Sequence, residues 1–127
     1  NISFIGNRPQ SEHEEQVYFV EWFRKTYPGV LIFAIPNGGS RNIAEAQKLV
    51  LEGVVSGVAD LYIPEWLCWI EFKRVKGGTW SDEQKEFKRY IESIGQVYLL
   101  MYGFDYGKDL IESFVRDGQH INNILNK

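Results

Sequence analysis

Apolar and polar positions recur along this chain with two different periods, and Gly or Pro marks most points where one gives way to the other. Ser11-Glu12-His13-Glu14 places a Ser three residues before a Glu, the spacing of a capping box. Phe19, Val20, Phe23 and Tyr27 then follow at helical intervals until Pro28-Gly29. A helix is predicted over 11–27. The short apolar run 30–35 ends in Pro36-Asn37-Gly38-Gly39 and reads as a buried strand entering a tight loop. Residues 42–52 read as helix stopped by Gly53, and 58–63 and 67–73 as two strands joined closely around Pro64-Glu65-Trp66. A second capping box, Ser81-Asp82-Glu83-Gln84, opens a helix ending before Gly95; a strand over 96–102 and a helix over 105–115 complete the pattern. The order α-β-α-β-β-α-β-α predicts an α/β domain of three layers, a mixed sheet of about four strands with helices packed on it.

The length of 127 residues is that of one ordinary domain. The expectation is a single unit over 1–127, with its core over about 11–103 and a C-terminal helix and tail over 104–127. With Cys68 as the one cysteine and His13 and His120 as the two histidines, no cluster has zinc-site spacing. No apolar run is long enough to span a bilayer, and the first residues lack the layout of a signal peptide, so no membrane partner and a cytoplasmic location are expected. The net charge of −3 excludes the overall basicity of many nucleic-acid binders, so a polyanion must be met locally.

Along the predicted strand 67–73, Cys68, Ile70 and Phe72 share one face, and Trp69, Glu71 and Lys73 share the other. An acid and a base on one face of an otherwise apolar strand form either an exposed ion pair or two groups aimed at one spot beside the sheet. Asp60, on the neighbouring strand, can bring a second carboxylate there. Helical spacing places Glu12 and Gln16 near the centre of the first helix's apolar stripe, so Glu12 either joins the two acids or merely favours the helix N-terminus. Carboxylates held about 5 Å apart repel by roughly 3 kcal/mol per pair at an effective dielectric near 20, a cost that a divalent cation removes. Oxygen donors without Cys or His select Mg²⁺ or Mn²⁺. Lys73 beside such a cation would complement a phosphate or position a water, and Gln84 either turns inward to orient that water or Lys73, or serves as Ser81's capping partner. The parts describe metal-assisted phosphodiester hydrolysis.

The run Val58-Ala59-Asp60, ten residues, then Glu71-Phe72-Lys73 resembles the D-x(n)-E-x-K signature of the PD-(D/E)xK nuclease superfamily. More narrowly, the ordered set Glu12-x-x-x-Gln16, Ile35-Pro36-Asn37-Gly38-Gly39, Glu52-Gly53-Val54-x-x-Gly57-Val58-x-Asp60-Leu61, Trp69-Ile70-Glu71-Phe72-Lys73 and Ser81-x-Glu83-Gln84 resembles the virus-type replication-repair nuclease (VRR-NUC) domain over residues 11–103. Ala59 departs from the proline common before that aspartate. The resemblance implies a restriction-endonuclease-like core in which Asp60 and Glu71 bind the metal, the Phe72 carbonyl adds a ligand, Lys73 is catalytic, and Glu12 and Gln84 belong to the site. It further implies a DNA endonuclease that needs Mg²⁺ or Mn²⁺ and no organic cofactor. Free-standing members act as homodimers on branched DNA such as four-way junctions, in a bacterial cell or a phage-infected host. The alternatives are a sequence-specific restriction-type nuclease and a non-catalytic nucleic-acid-binding module.

Asn37, Gly38 and Arg41 offer N–H groups and a cation for a phosphate, in what is otherwise an ordinary turn. Arg74 and Lys76 follow Lys73, and Lys85, Lys88 and Arg89 follow on the next helix, either as a basic rim or, for the helix cations, as a solvated face. Four Trp, seven Tyr and eight Phe are many for one small core, so some aromatics, with Trp66 and Trp80 beside turns as candidates, are expected outside it, to stack bases or form a subunit interface.

Overall fold

The computed structural model describes residues 11–36 and 42–121. Four helices, α1 (Glu12–Thr26), α2 (Ile43–Leu51), α3 (Asp82–Ser93) and α4 (Phe104–Arg116), and four strands, β1 (Phe33–Ala34), β2 (Leu61–Ile63), β3 (Cys68–Lys73) and β4 (Val97–Tyr102), follow one another in the predicted order. They form one mixed sheet in the order β1-β2-β3-β4, antiparallel between the first three strands and parallel between β3 and β4. The β2–β3 connection is a tight 3-10 turn over Pro64–Trp66, closed by Leu67 in the left-handed region at φ 51°. The parallel pair needs a crossover, which α3 provides.

Strand alternation sorts the side chains into two layers of core. Leu61, Ile63, Cys68, Ile70, Phe72 and Met101 turn to one face, where Phe19 and Phe23 of α1 and Ile111 and Phe114 of α4 cover them. Tyr98, Trp69 and Leu100 turn to the other, where Phe87 and Ile91 of α3 meet them. The fold is therefore the expected three-layer α/β arrangement. Trp66 is an exception to the surface reading: it is buried against Phe23, Tyr27 and Phe114, because the 3-10 turn folds it back beneath the sheet.

Both capping boxes form. Ser11 and Glu14 exchange bonds at the start of α1, as Ser81 and Gln84 do at the start of α3. Two strands are shorter than the apolar runs that predicted them: β1 keeps two residues of 30–35, and β2 begins only at Leu61, leaving Asp60 in the approach to the strand. At that end β3 therefore continues past its neighbour, with an edge that β2 does not cover.

Among the described residues, helix α2 buries none of its side chains. Ile43, Val50 and Leu51 are exposed at 78%, 66% and 88%. Nine residues make a marginal helix in water unless one face is covered.

No helix of the described residues is long and apolar enough to cross a membrane.

Candidate functional site

The site lies where β3 outruns β2. In the antiparallel register Leu61 faces Ile70, so Asp60 comes opposite Glu71, on the sheet face that α3 covers. The Asp60 carboxylate bends across the gap and accepts the Phe72 backbone N–H at 2.7 Å, a bond that substitutes for the missing ladder partner. Two residues on from Glu71, Lys73 extends from the same face of β3, and both side chains are buried although ionisable.

Gln84 joins them. Its Nε2 donates to Glu71 Oε2 at 2.9 Å, and its Oε1 accepts from Lys73 Nζ at 2.8 Å and from the Ser81 N–H at 2.9 Å. The capping and site readings of Gln84 are thus one geometry: the box that starts α3 also fixes the rotamer that bridges the acid and the lysine. The direct Lys73–Glu71 contact is longer, 3.7 Å.

Two features show how the acids are strained. Glu71 is 2% exposed, and its Oε1 is buried without a hydrogen-bond partner. Burial first, then the charge of Asp60, push the Glu71 carboxyl up to about 8, against the opposing pull of Lys73. Burial also raises Asp60, with the Phe72 N–H opposing and the charge of Glu12 adding to the rise. Two acceptors lie close enough to share a proton, and one of them has an orphaned oxygen. That donor set fits a hard cation, which would satisfy the oxygen and remove the repulsion.

Glu12 reaches this pair through its charge. It occupies the first turn of α1 and is half-exposed. Among the described residues, no three His, Cys, Asp or Glu side chains converge closely enough to form a metal cage by themselves. The buried stripe of α1 runs Glu15-Phe19-Phe23 and leaves Glu12 at the helix tip. Glu15, which helical spacing puts away from the centre of the predicted stripe, is 1% exposed and accepts the Phe104 N–H at 2.6 Å, capping α4, whose N-cap Gly103 has no side chain to do so. An acid at the i−4 position of a buried Phe pair was the available signal. Tyr98 is a second residue missed: its hydroxyl is buried on the α3 side, and burial followed by the Glu71 charge pushes the phenol up.

Asn37, Gly38 and Arg41 lie outside the described residues. Arg74 and Lys76 are exposed just beyond β3, Arg74 donating to the Gly77 carbonyl at 3.0 Å. On α3, Lys88 pairs with Glu92, Arg89 with Glu86, and Lys85 lies over the Trp80 ring, so these cations are partly engaged by their own helix and its approach.

A solved structure named as a VRR_NUC domain protein superposes on this chain with a TM-score of 0.66, covering 85% of this chain and 90% of that one. The two share one fold. Sequence identity is 21%, so the likeness speaks for architecture. No family profile matches the sequence, and no curated protein does.

Proposed function

We propose that this chain is a Mg²⁺- or Mn²⁺-dependent DNA endonuclease of the VRR-NUC type within the PD-(D/E)xK superfamily. The observation that carries the reading is the pairing of half-buried Asp60 with buried Glu71, whose orphaned oxygen and link through Gln84 to Lys73 complete the site. The shared fold with a VRR_NUC domain protein supports it.

Asp60 and Glu71 are the carboxylates that would hold the cation. Phe72 supplies a third oxygen: its N–H points to Asp60, and a strand residue presents N–H and C=O on the same edge, so its carbonyl also emerges where β2 has ended. A bound divalent cation would draw charge from a non-bridging phosphate oxygen and ease ionisation of the attacking water. Lys73 carries three N–H donors; Gln84 accepts one, which leaves donors for the phosphate oxygen or the water. Gln84 fixes the Lys73 ammonium, so that its charge is in place as negative charge develops on the phosphate. Glu12 adds negative potential that favours a cation at the pair. Arg74 and Lys76, together with Asn37, Gly38 and Arg41, contact the DNA backbone, which sets position without reading sequence.

The substrate class we assign is branched DNA such as four-way junctions, cut by a homodimer. The dimer face is α2 and the turn after it. Ile43, Val50, Leu51, Val54 and Val55 are exposed apolar side chains there. At roughly 100 Å² each they give about 500 Å² per copy, about 1,000 Å² for a two-fold pair, the lower bound for a stable interface. A two-fold axis covers the patch with itself and creates no second open surface.

The test is incubation with end-labelled linear duplex, flap and four-way-junction DNA, each with Mg²⁺, Mn²⁺ or EDTA. Metal-dependent cutting with the junction preferred is expected. Binding of DNA with no cutting in either metal would favour a non-catalytic module, and cutting at one sequence irrespective of shape a restriction-type enzyme.

A further inference from the structure

The sheet ends on β4, an edge strand whose last residue is Tyr102. In the parallel register Tyr102 lies beside Lys73, so the two side chains leave the same sheet face one strand apart, about 5 Å at the backbone. Tyr98 and Leu100, earlier on that face, pack with Phe87 and Ile91 of α3, whereas Tyr102 is 42% exposed. An open aromatic side chain therefore adjoins the carboxylate and lysine site, and none of the proposed chemistry uses it.

A second ring braces the first. Tyr106, in the first turn of α4 and 48% exposed, meets Tyr102 edge to face at a centroid separation of 5.6 Å and an angle of 88°. Cations border the pair. A Cβ at Gly103 would stand 2.7 Å from Val75 Cγ2, so the segment leaving β3 rests on the turn between the two tyrosines, and Arg74 and Lys76 are exposed on either side of Val75. Exposed Asp105 adjoins Tyr106 and offsets part of that charge, so the rings carry the contact. Rings for bases beside cations for phosphates make a surface suited to a single strand, because every base has a face that can stack. The tryptophans beside turns do not offer this: Trp66 is buried, and Trp80 lies beneath Lys85 with its Nε1 enclosed.

We infer that Tyr102, braced by Tyr106, stacks an unpaired base of the strand whose phosphate meets Lys73. The platform rests on the nuclease reading for its purpose. A base reaches it only after leaving its duplex stack, which favours frayed and branched DNA over continuous duplex.

The experiment measures fluorescence anisotropy of a short labelled oligothymidylate and of a linear duplex in EDTA, where cleavage plays no part. Wild type, Tyr102→Ala and Tyr102→Phe are compared, with circular dichroism confirming that each is folded. Tyr102→Ala is expected to weaken oligothymidylate binding about tenfold with duplex binding unchanged, as loss of one stacked base predicts, and Tyr102→Phe, which keeps the ring, to bind as wild type does. No oligothymidylate binding by wild type, equal binding by wild type and Tyr102→Ala, or equal weakening on both DNAs would overturn the platform. Equal losses in Tyr102→Phe and Tyr102→Ala would also overturn it, by assigning the contact to the hydroxyl. A wild type that binds as expected but cuts no DNA would leave the platform standing and remove the nuclease reading, and one that cuts DNA without these binding differences would do the reverse.

Discussion

Replacing Glu71 by Gln should make the metal-free protein more stable at pH 8 and remove most of its pH dependence. In the folded chain the Glu71 proton is held up to about 8, whereas a solvated glutamate releases it near 4.5. Because the folded-state value is the higher one, its contribution to stability is complete below 4.5 and is lost as the pH rises through about 8. At about 1.4 kcal/mol for each tenfold in proton concentration, the full interval corresponds to about 5 kcal/mol, a large share of a domain's net stability. Asp60, also raised, acts in the same direction. A Gln at 71 cannot ionise; it keeps an acceptor for Gln84 Nε2 and gains a donor for Asp60. For a domain of this size 1 kcal/mol moves the melting temperature by about 4 °C. Thermal melts in EDTA between pH 5 and 8.5 should therefore show wild type losing about 10–20 °C relative to Glu71→Gln. Adding Mn²⁺ at pH 8 should restore wild type and leave the variant little changed, since a ligand bound by the folded state alone stabilises it. Parallel pH profiles for the two proteins would mean that the Glu71 carboxyl is not held against its charge.

Glu15→Ala removes the acceptor of the Phe104 N–H and should cost about 1–3 kcal/mol in urea unfolding, with cleavage per folded molecule retained. Gly57→Ala places a Cβ 2.5 Å from the Glu83 carbonyl carbon at φ +87°, so α3 must shift at the turn that carries Gln84; both melting temperature and cleavage rate should fall. Leu51→Glu puts a charge on the most exposed apolar side chain of α2 and should convert a dimer to monomer in light scattering, with circular dichroism unchanged.

Legibility in the sequence followed the range of the interactions. The two capping boxes are local, three residues apart, and their helices begin where the pattern places them. Strand alternation put Glu71 and Lys73 on one face because a period of two needs no tertiary information. Gln84 posed a false choice, since one amide has enough donors and acceptors to cap Ser81 and bridge Glu71 and Lys73 together. Glu15 was hidden for a different reason: its partner, Phe104, lies 89 residues away, and the face of α1 that looks inward depends on α4 packing beside it. Exposed α2 and buried Trp66 show the limit of hydrophobicity alone, because an apolar stripe or a Trp beside a turn states a need for cover and leaves the covering element unnamed.

Single-turnover cleavage of a labelled four-way junction in Mn²⁺ by wild type, Asp60→Ala and Lys73→Ala decides whether these residues carry the reaction. Metal-dependent cutting by wild type, with loss of at least roughly a hundredfold in each variant, is the result predicted for two cation-holding carboxylates and one positioned ammonium. Wild-type rates in both variants would contradict it and move the chemistry elsewhere on the chain.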